Sequence, residues 1–143
     1  MSPVSRKYQP AYAFELFRIA QGDLESARGL FKIHTGRIEN VVYLCQQSIE
    51  KSMKAVLCHL KMDVPMSHDL DLLVSVLPSE LKPPEFYRLG LLTQYATIRR
   101  YEEGYEVLDD QDLVATIDLA EKIEIWAKTI LDEKKNEPKK GPL

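Results

Sequence analysis

Cysteine is scarce in this chain, long apolar runs are absent, and positive charge is not in excess. Only two cysteines stand among the 143 residues. The periodicity described below puts Cys45 and Cys58 on one helix, where thirteen steps of rise separate them by about 20 Å. Bridged Cα atoms lie within about 7 Å, so a disulfide between the two is excluded and both thiols read as reduced. No unbroken apolar stretch reaches membrane-spanning length, and residues 1–10 lack the apolar core of a secretory signal. A soluble, cytoplasmic protein without membrane contact is the expectation. There is no glycine-rich phosphate loop and no nucleophilic serine between glycines. Cys45, Cys58, His34, His59 and His68 show none of the close paired spacings of structural zinc, so neither a metal nor another cofactor is expected. The net charge of −3 makes the whole molecule a poor electrostatic partner for nucleic acid, and any such contact must be a local patch.

What the chain does have is helical periodicity. Its 45% hydrophobic content is sufficient for one core in a single domain. Ala13, Leu16, Phe17, Ala20, Leu24, Ala27 and Phe31 mark a stripe that ends near Gly36. Gly22 and Gly29 lie within it, where close approach of a neighbouring helix would explain them. A second helix spans about Ile38 to Met62, with Val42, Cys45, Ile49, Met53, Val56, Leu57 and Leu60 on its apolar face. Gln47, Glu50, Lys51 and Lys54 form its opposite strip, and Glu50 can pair with Lys54 one turn on. Pro65 stops that helix. Ser67 is the expected N-cap of a short third helix, His68 to Leu77. Pro83 and Pro84 open a fourth, running through Phe86, Leu89, Leu92 and Ala96 toward Arg99, with Gly104 as its stop.

Asp109, Asp110 and Asp112 supply the acidic start of a fifth helix that buries Leu113, Ile117, Ala120, Ile123, Ala127, Ile130 and Leu131. The predicted fold is all-α, an up-and-down bundle of about five helices. Residues 1–10 form an N-terminal extension and residues 11–133 the helical domain. Residues 134–143 make a flexible polar tail, too poor in apolar groups to recover its ordering entropy.

Gln46 to Ala55, Pro65 to Leu70 and the pair Arg100-Tyr101 are three segments that together resemble the HEPN family of small helical domains. Gln46-Gln47-Ser48-Ile49-Glu50-Lys51-Ser52-Met53-Lys54-Ala55 is similar to that family's second-helix pattern. Pro65-Met66-Ser67-His68-Asp69-Leu70 is similar to its proline followed by His-Asp-Leu, and Arg100-Tyr101 to the Arg-Tyr pair ending its next long helix. Order and spacing agree over roughly Ala11 to Leu131. The resemblance implies a homodimer, pairing with a small nucleotidyltransferase as toxin and antitoxin, and association with RNA or nucleotides.

The resemblance fails at one place that matters for chemistry. Many HEPN proteins cleave RNA without metal, using an Arg followed after four to six residues by a His. Here the eligible positions after Arg99 are Gly104, Tyr105 and Glu106, and after Arg100 they are Tyr105, Glu106 and Val107. A tyrosine with pKa near 10 is a poor carrier of protons near neutral pH, where imidazole is suited. Arg28 and His34 satisfy the spacing formally, but at the end of the first helix, where a solvated terminus is the better reading. No catalytic residue is therefore assigned, and a binding role is favoured over an enzyme.

The candidates for holding a nucleotide or RNA phosphate are Arg100, Arg99, Lys51, Lys54 and His68. Each has a structural alternative. Arg100 could equally form an ion pair with Glu50 or Asp69, a use of arginine more common than ligand binding. Lys51 and Lys54 read as a solvated face, and His68 as a residue that caps or packs. His68 and Asp69 do not form a dyad, because adjacent residues on a helix point about 100° apart. Trp126, Tyr87, Tyr95, Tyr101 and Tyr105 serve packing by default. Three functions remain: a dimeric binding module partnered with a nucleotidyltransferase, an RNA-cleaving toxin with Arg100 and His68 in a non-standard site, or a helical dimer with a purely assembly role.

Overall fold

Three long helices carry the apolar stripes and build the core. A computed structural model describes residues 4–94 and 108–133 of the chain. Within these, helix α1 spans Tyr12–Ile33, α2 Ile38–His59, α3 Leu70–Val76, α4 Leu89–Gln94 and α5 Asp110–Asp132. The architecture is the all-α helical bundle expected from the periodicity.

Helix α1 buries Ala13, Leu16, Phe17, Ala20, Leu24 and Ala27, and α5 buries every residue of its expected stripe, with Leu119 in addition. Both pack on α2, and on each other. Helix α1 stops three residues before Gly36: His34 takes a left-handed conformation at its C-cap and gives its N–H to the carbonyls of Leu30 and Phe31. Gly22 and Gly29 face open space, so no close helix approach accounts for them.

Helix α2 departs from the simple amphipathic picture. Thirteen of its 22 residues are buried, among them Glu50 from the strip expected to be polar and the further polar residues Gln46, Ser48 and Ser52. The reason is that α3 and α4 pack on α2 in addition to α1 and α5. A helix covered on more than one side cannot keep a wide polar strip in water.

Two helix starts also differ from expectation. The N-cap of α3 is Asp69, whose carboxylate accepts from the N–H groups of Asp71 and Leu72. Ser67 instead accepts from the Asp69 N–H, one step upstream. An aspartate at the cap also complements the positive end of the helix, which serine cannot do. After Pro83 and Pro84 the chain makes a 3₁₀ turn, Phe86–Arg88, before α4 begins at Leu89. Glu85 precedes that turn with φ of 53°, a left-handed conformation that interrupts a continuous helix from the prolines. Ala96, Arg99 and the Gly104 stop expected from the sequence lie outside the described residues.

The start of α5 is a capping box. Asp109 Oδ1 accepts from the Asp112 N–H at 2.8 Å, and Asp112 Oδ2 accepts from the Asp109 N–H at 3.0 Å. Asp109→Ala removes one bond and the charge that favours the helix start, so it should lower the unfolding free energy by about 1 kcal/mol in urea titrations. A loss below a few tenths would show the cap to be energetically idle.

One element was not legible at all. Ser5–Arg6 and Val64–Pro65 form strands β1 and β2, an antiparallel pair in which Ser5 faces Pro65 and Arg6 faces Val64. Two residues are too few to produce an alternating pattern, so nothing in the sequence announces it.

A candidate site around a buried carboxylate

Glu50 is the centre of the most constrained polar cluster among the described residues. Its position on α2 turns the carboxylate toward the segment joining β2 to α3, and its side chain is 1% exposed. Lys54, one turn later, reaches Oε2 at 3.0 Å, and Lys51 approaches the same oxygen at 3.4 Å. From the other segment, His68 brings Nδ1 to 2.9 Å from Oε1. Gln46 completes the enclosure, donating from Nε2 to Glu50 Oε1 at 3.3 Å and to the His68 carbonyl at 3.2 Å. Gln47 donates to Gln46 Oε1 and accepts from Lys51, which fixes the orientation of both amides.

Burial alone would drive the Glu50 carboxyl pKa upward, and this is the largest single influence on it. The attraction of Lys51 and then Lys54, with hydrogen bonds from His68 and Lys54, more than offsets it, and the pKa lies below its ordinary value. Glu50 is therefore ionised at neutral pH. Asp23, half-buried on α1, goes the other way: burial pushes it up, Lys51 opposes, and the charge of Glu50 adds to the rise.

Lys51 and Lys54 do not form a solvated face, as their positions suggested. Their side chains are 21% and 12% exposed, and both ammonium groups are occupied by Glu50. The salt bridge anticipated between Glu50 and Lys54 exists, but as part of a buried network. His68 is different. It precedes α3, its ring is 69% exposed, and one edge is held by the carboxylate while the rest of the ring meets solvent. Asp69 caps α3 rather than facing His68. Arg99, Arg100 and Tyr101 lie outside the described residues, as do Tyr95, Tyr105 and the polar tail.

The remaining candidates fall elsewhere. Arg28 Nε binds Glu121 Oε1 at 3.2 Å across α1 and α5, and His34 Nε2 lies 3.7 Å from Asp110 Oδ2, so the formal Arg-His pair is split between two separate acids. Cys45 and Cys58 are free and buried. Burial pushes the Cys45 thiol up to about 12, with smaller opposing effects of Arg28 and Glu121, which leaves it without nucleophilic character. Trp126 packs against the core.

A fixed carboxylate carrying two lysines and one outward-facing histidine, on the second helix and on a Pro-Met-Ser-His-Asp-Leu segment, has the motif order noted in the sequence. The family model described as HEPN domain matches residues 13–135. The chain belongs to the HEPN domain family. The fold agrees with that of a solved structure, the crystal structure of TT1696 from Thermus thermophilus. The two superpose with a TM-score of 0.71 at 21% identity, over 84% of this chain and 98% of that one. At that identity the likeness concerns the fold of the HEPN domain alone. No curated protein matches the chain. In this HEPN domain, the second helix and the His68-Asp69-Leu70 segment meet at one point, Glu50 Oε1.

Sequence reasoning put forward Glu50, Lys51, Lys54 and His68 as binding or ion-pair candidates but not Gln46, Gln47 or Asp23, and it placed Glu50 on an exposed strip. A signal was available. Gln46 and Glu50 lie one turn apart on either side of the direction taken by the apolar Leu57, which puts both at the edge of the buried face.

Proposed function

We propose that this HEPN-domain protein is a dimeric binding module. It is the partner of a small nucleotidyltransferase in a toxin–antitoxin-type pair, and it holds a nucleotide or RNA phosphate at the outer edge of His68; Arg99 and Arg100 are the further candidates that the sequence supplies. One observation carries this reading: the His68 imidazole is tethered through Nδ1 to a buried carboxylate at 2.9 Å while its ring stays exposed. An imidazole so tethered keeps its other nitrogen turned away from the acid. In the protonated form that nitrogen is a charged donor suited to a phosphate oxygen. Lys51 and Lys54 serve the site indirectly, by keeping Glu50 ionised.

The test is binding of a labelled mononucleotide at physiological salt, together with copurification from cells that also express a neighbouring nucleotidyltransferase. His68→Ala and Arg100→Ala should each weaken nucleotide binding about tenfold, the loss of one charge-assisted contact. Equal affinity in both variants, or no copurifying partner, removes the basis of this reading.

The same hydrogen bond favours a second reading, metal-independent RNA cleavage. A carboxylate that fixes one imidazole nitrogen orients the other for proton transfer. His68 would then supply the proton carrier missing after Arg99 and Arg100. In that case RNA is cleaved without added metal, and His68→Ala and Arg100→Ala each abolish cleavage.

A further inference from the structure

The segment that precedes the family match builds a surface of its own. Residues 4–12 lie before residue 13, where the HEPN match begins, and they are tied down at several points. Strand β1 pairs with β2, and the Met66 N–H adds a bond to the Val4 carbonyl at 2.6 Å. Cys58 Sγ lies 3.2 Å from the Gln9 carbonyl, and the Tyr8 hydroxyl lies 3.7 Å from Met66 Sδ.

This anchoring arranges an ordered stack. The rings of Tyr8 and Tyr12 lie 5.0 Å apart and 20° from parallel. The Arg6 guanidinium sits 5.7 Å from the centre of the Tyr8 ring. Tyr12, 39% exposed, ends the stack toward solvent. Beside it runs a groove of about 420 Å³ lined by Lys7, Tyr8, Gln9, Pro10 and Lys61. Among the described residues, Arg6, Lys7 and Lys61 form no ion pair. The only acid in segments 4–12 and 61–65 is Asp63. A chain of net charge −3 thus carries a local excess of positive charge, next to stacked aromatic rings.

We infer that this surface binds a single-stranded polynucleotide, its phosphates following Arg6, Lys7 and Lys61 and a base stacking on Tyr12. Cations alone would suit any polyanion. The aromatic stack selects a ligand that alternates phosphates with flat rings, because every base has a face to stack and free phosphate has none. The guanidinium over Tyr8 keeps N–H donors at its edge for phosphate oxygens. The inference uses none of the residues assigned to the site around Glu50 and His68, and it does not depend on the function proposed above.

The experiment is fluorescence anisotropy of the full chain with labelled twelve-residue oligouridylate and oligothymidylate, across a salt series. Arg6→Glu/Lys7→Glu/Lys61→Glu should weaken binding at least tenfold and flatten the logarithmic salt slope by about two, given about 0.7 per phosphate contact on single strands. Tyr12→Ala should weaken binding about tenfold while leaving the slope unchanged, since stacking releases no counterions. Lys128→Glu, an exposed position on α5 that pairs only with Asp132, should bind both oligonucleotides as the wild type does. Preference for oligouridylate or oligothymidylate then identifies RNA or DNA as the source. Unchanged affinity in the folded triple variant, checked by circular dichroism, overturns the inference. So do loss confined to His68→Ala, and full competition by inorganic polyphosphate with no effect of Tyr12→Ala.

Discussion

Replacing Glu50 by alanine lowers the stability of the domain by about 3 kcal/mol in urea or thermal unfolding, the low end of the range for breaking a buried ion pair. The low end applies because Lys51 and Lys54, with exposures of 21% and 12%, have long stems that can carry their ammonium groups part of the way to water. The substitution also removes one of the two acceptors of Gln46 Nε2 and the oxygen that faces His68 Nδ1. Glu50→Gln keeps the shape and one acceptor oxygen, so its cost is intermediate. A variant as stable as the wild type would mean that the network is energetically neutral.

The same carboxylate fixes an acid limb. Its pKa in the folded state is below the ordinary value of 4.5, so its contribution is complete above about pH 4.5 and is lost as the pH falls through the lower, folded value. Asp23 has the opposite slope: its raised pKa means that protonation favours the folded state as the pH falls through that value. The informative quantity is therefore the stability of the wild type minus that of Glu50→Gln. That difference should shrink on acidification below pH 4.5, as Glu50 is protonated. A difference independent of pH down to pH 2 would contradict an ionised Glu50.

Ile49→Ala is expected to cost about 3–4 kcal/mol, equivalent to a fall in Tm on the order of 10 °C for a chain of this size. Ile49 is fully buried on the helix that α1 and α5 both pack against. Ile49 belongs to a core built from several helices, so collapse around a cavity there is incomplete. Ile49→Val, which removes one methylene, should cost about 1 kcal/mol. Equal effects of the two substitutions would show that the site relaxes freely.

Periodicity was enough for α1, α2 and α5 because a helix half in water and half in the core must repeat its apolar residues every three to four positions. Leu16, Leu24, Ile49, Met53, Ile117 and Ile123 are buried as that repeat requires. The short elements resisted the same treatment. One residue in a left-handed conformation, Glu85, splits the expected fourth helix at its start, and the two-residue strands have no period to detect.

For the candidate site, the residue types and the pairing of Glu50 with Lys54 were legible, because both lie on one helix at a spacing fixed by its pitch. Their burial was not. It depends on what covers the second side of α2, and a helix carries no record of neighbours separated from it by a turn and a strand.

The amino-acid order alone thus determined the all-α class, the core stripes of the three long helices and the motifs that mark a HEPN domain. Tertiary structure alone decided that Glu50 is inside, that His68 reaches it from eighteen residues away in sequence, and that residues 4–12 fold back beside Lys61. The division has a single physical cause. Local spacing dictates which face of a helix is apolar, whereas the environment of a charged group is set by segments distant along the chain, and only packing brings those together.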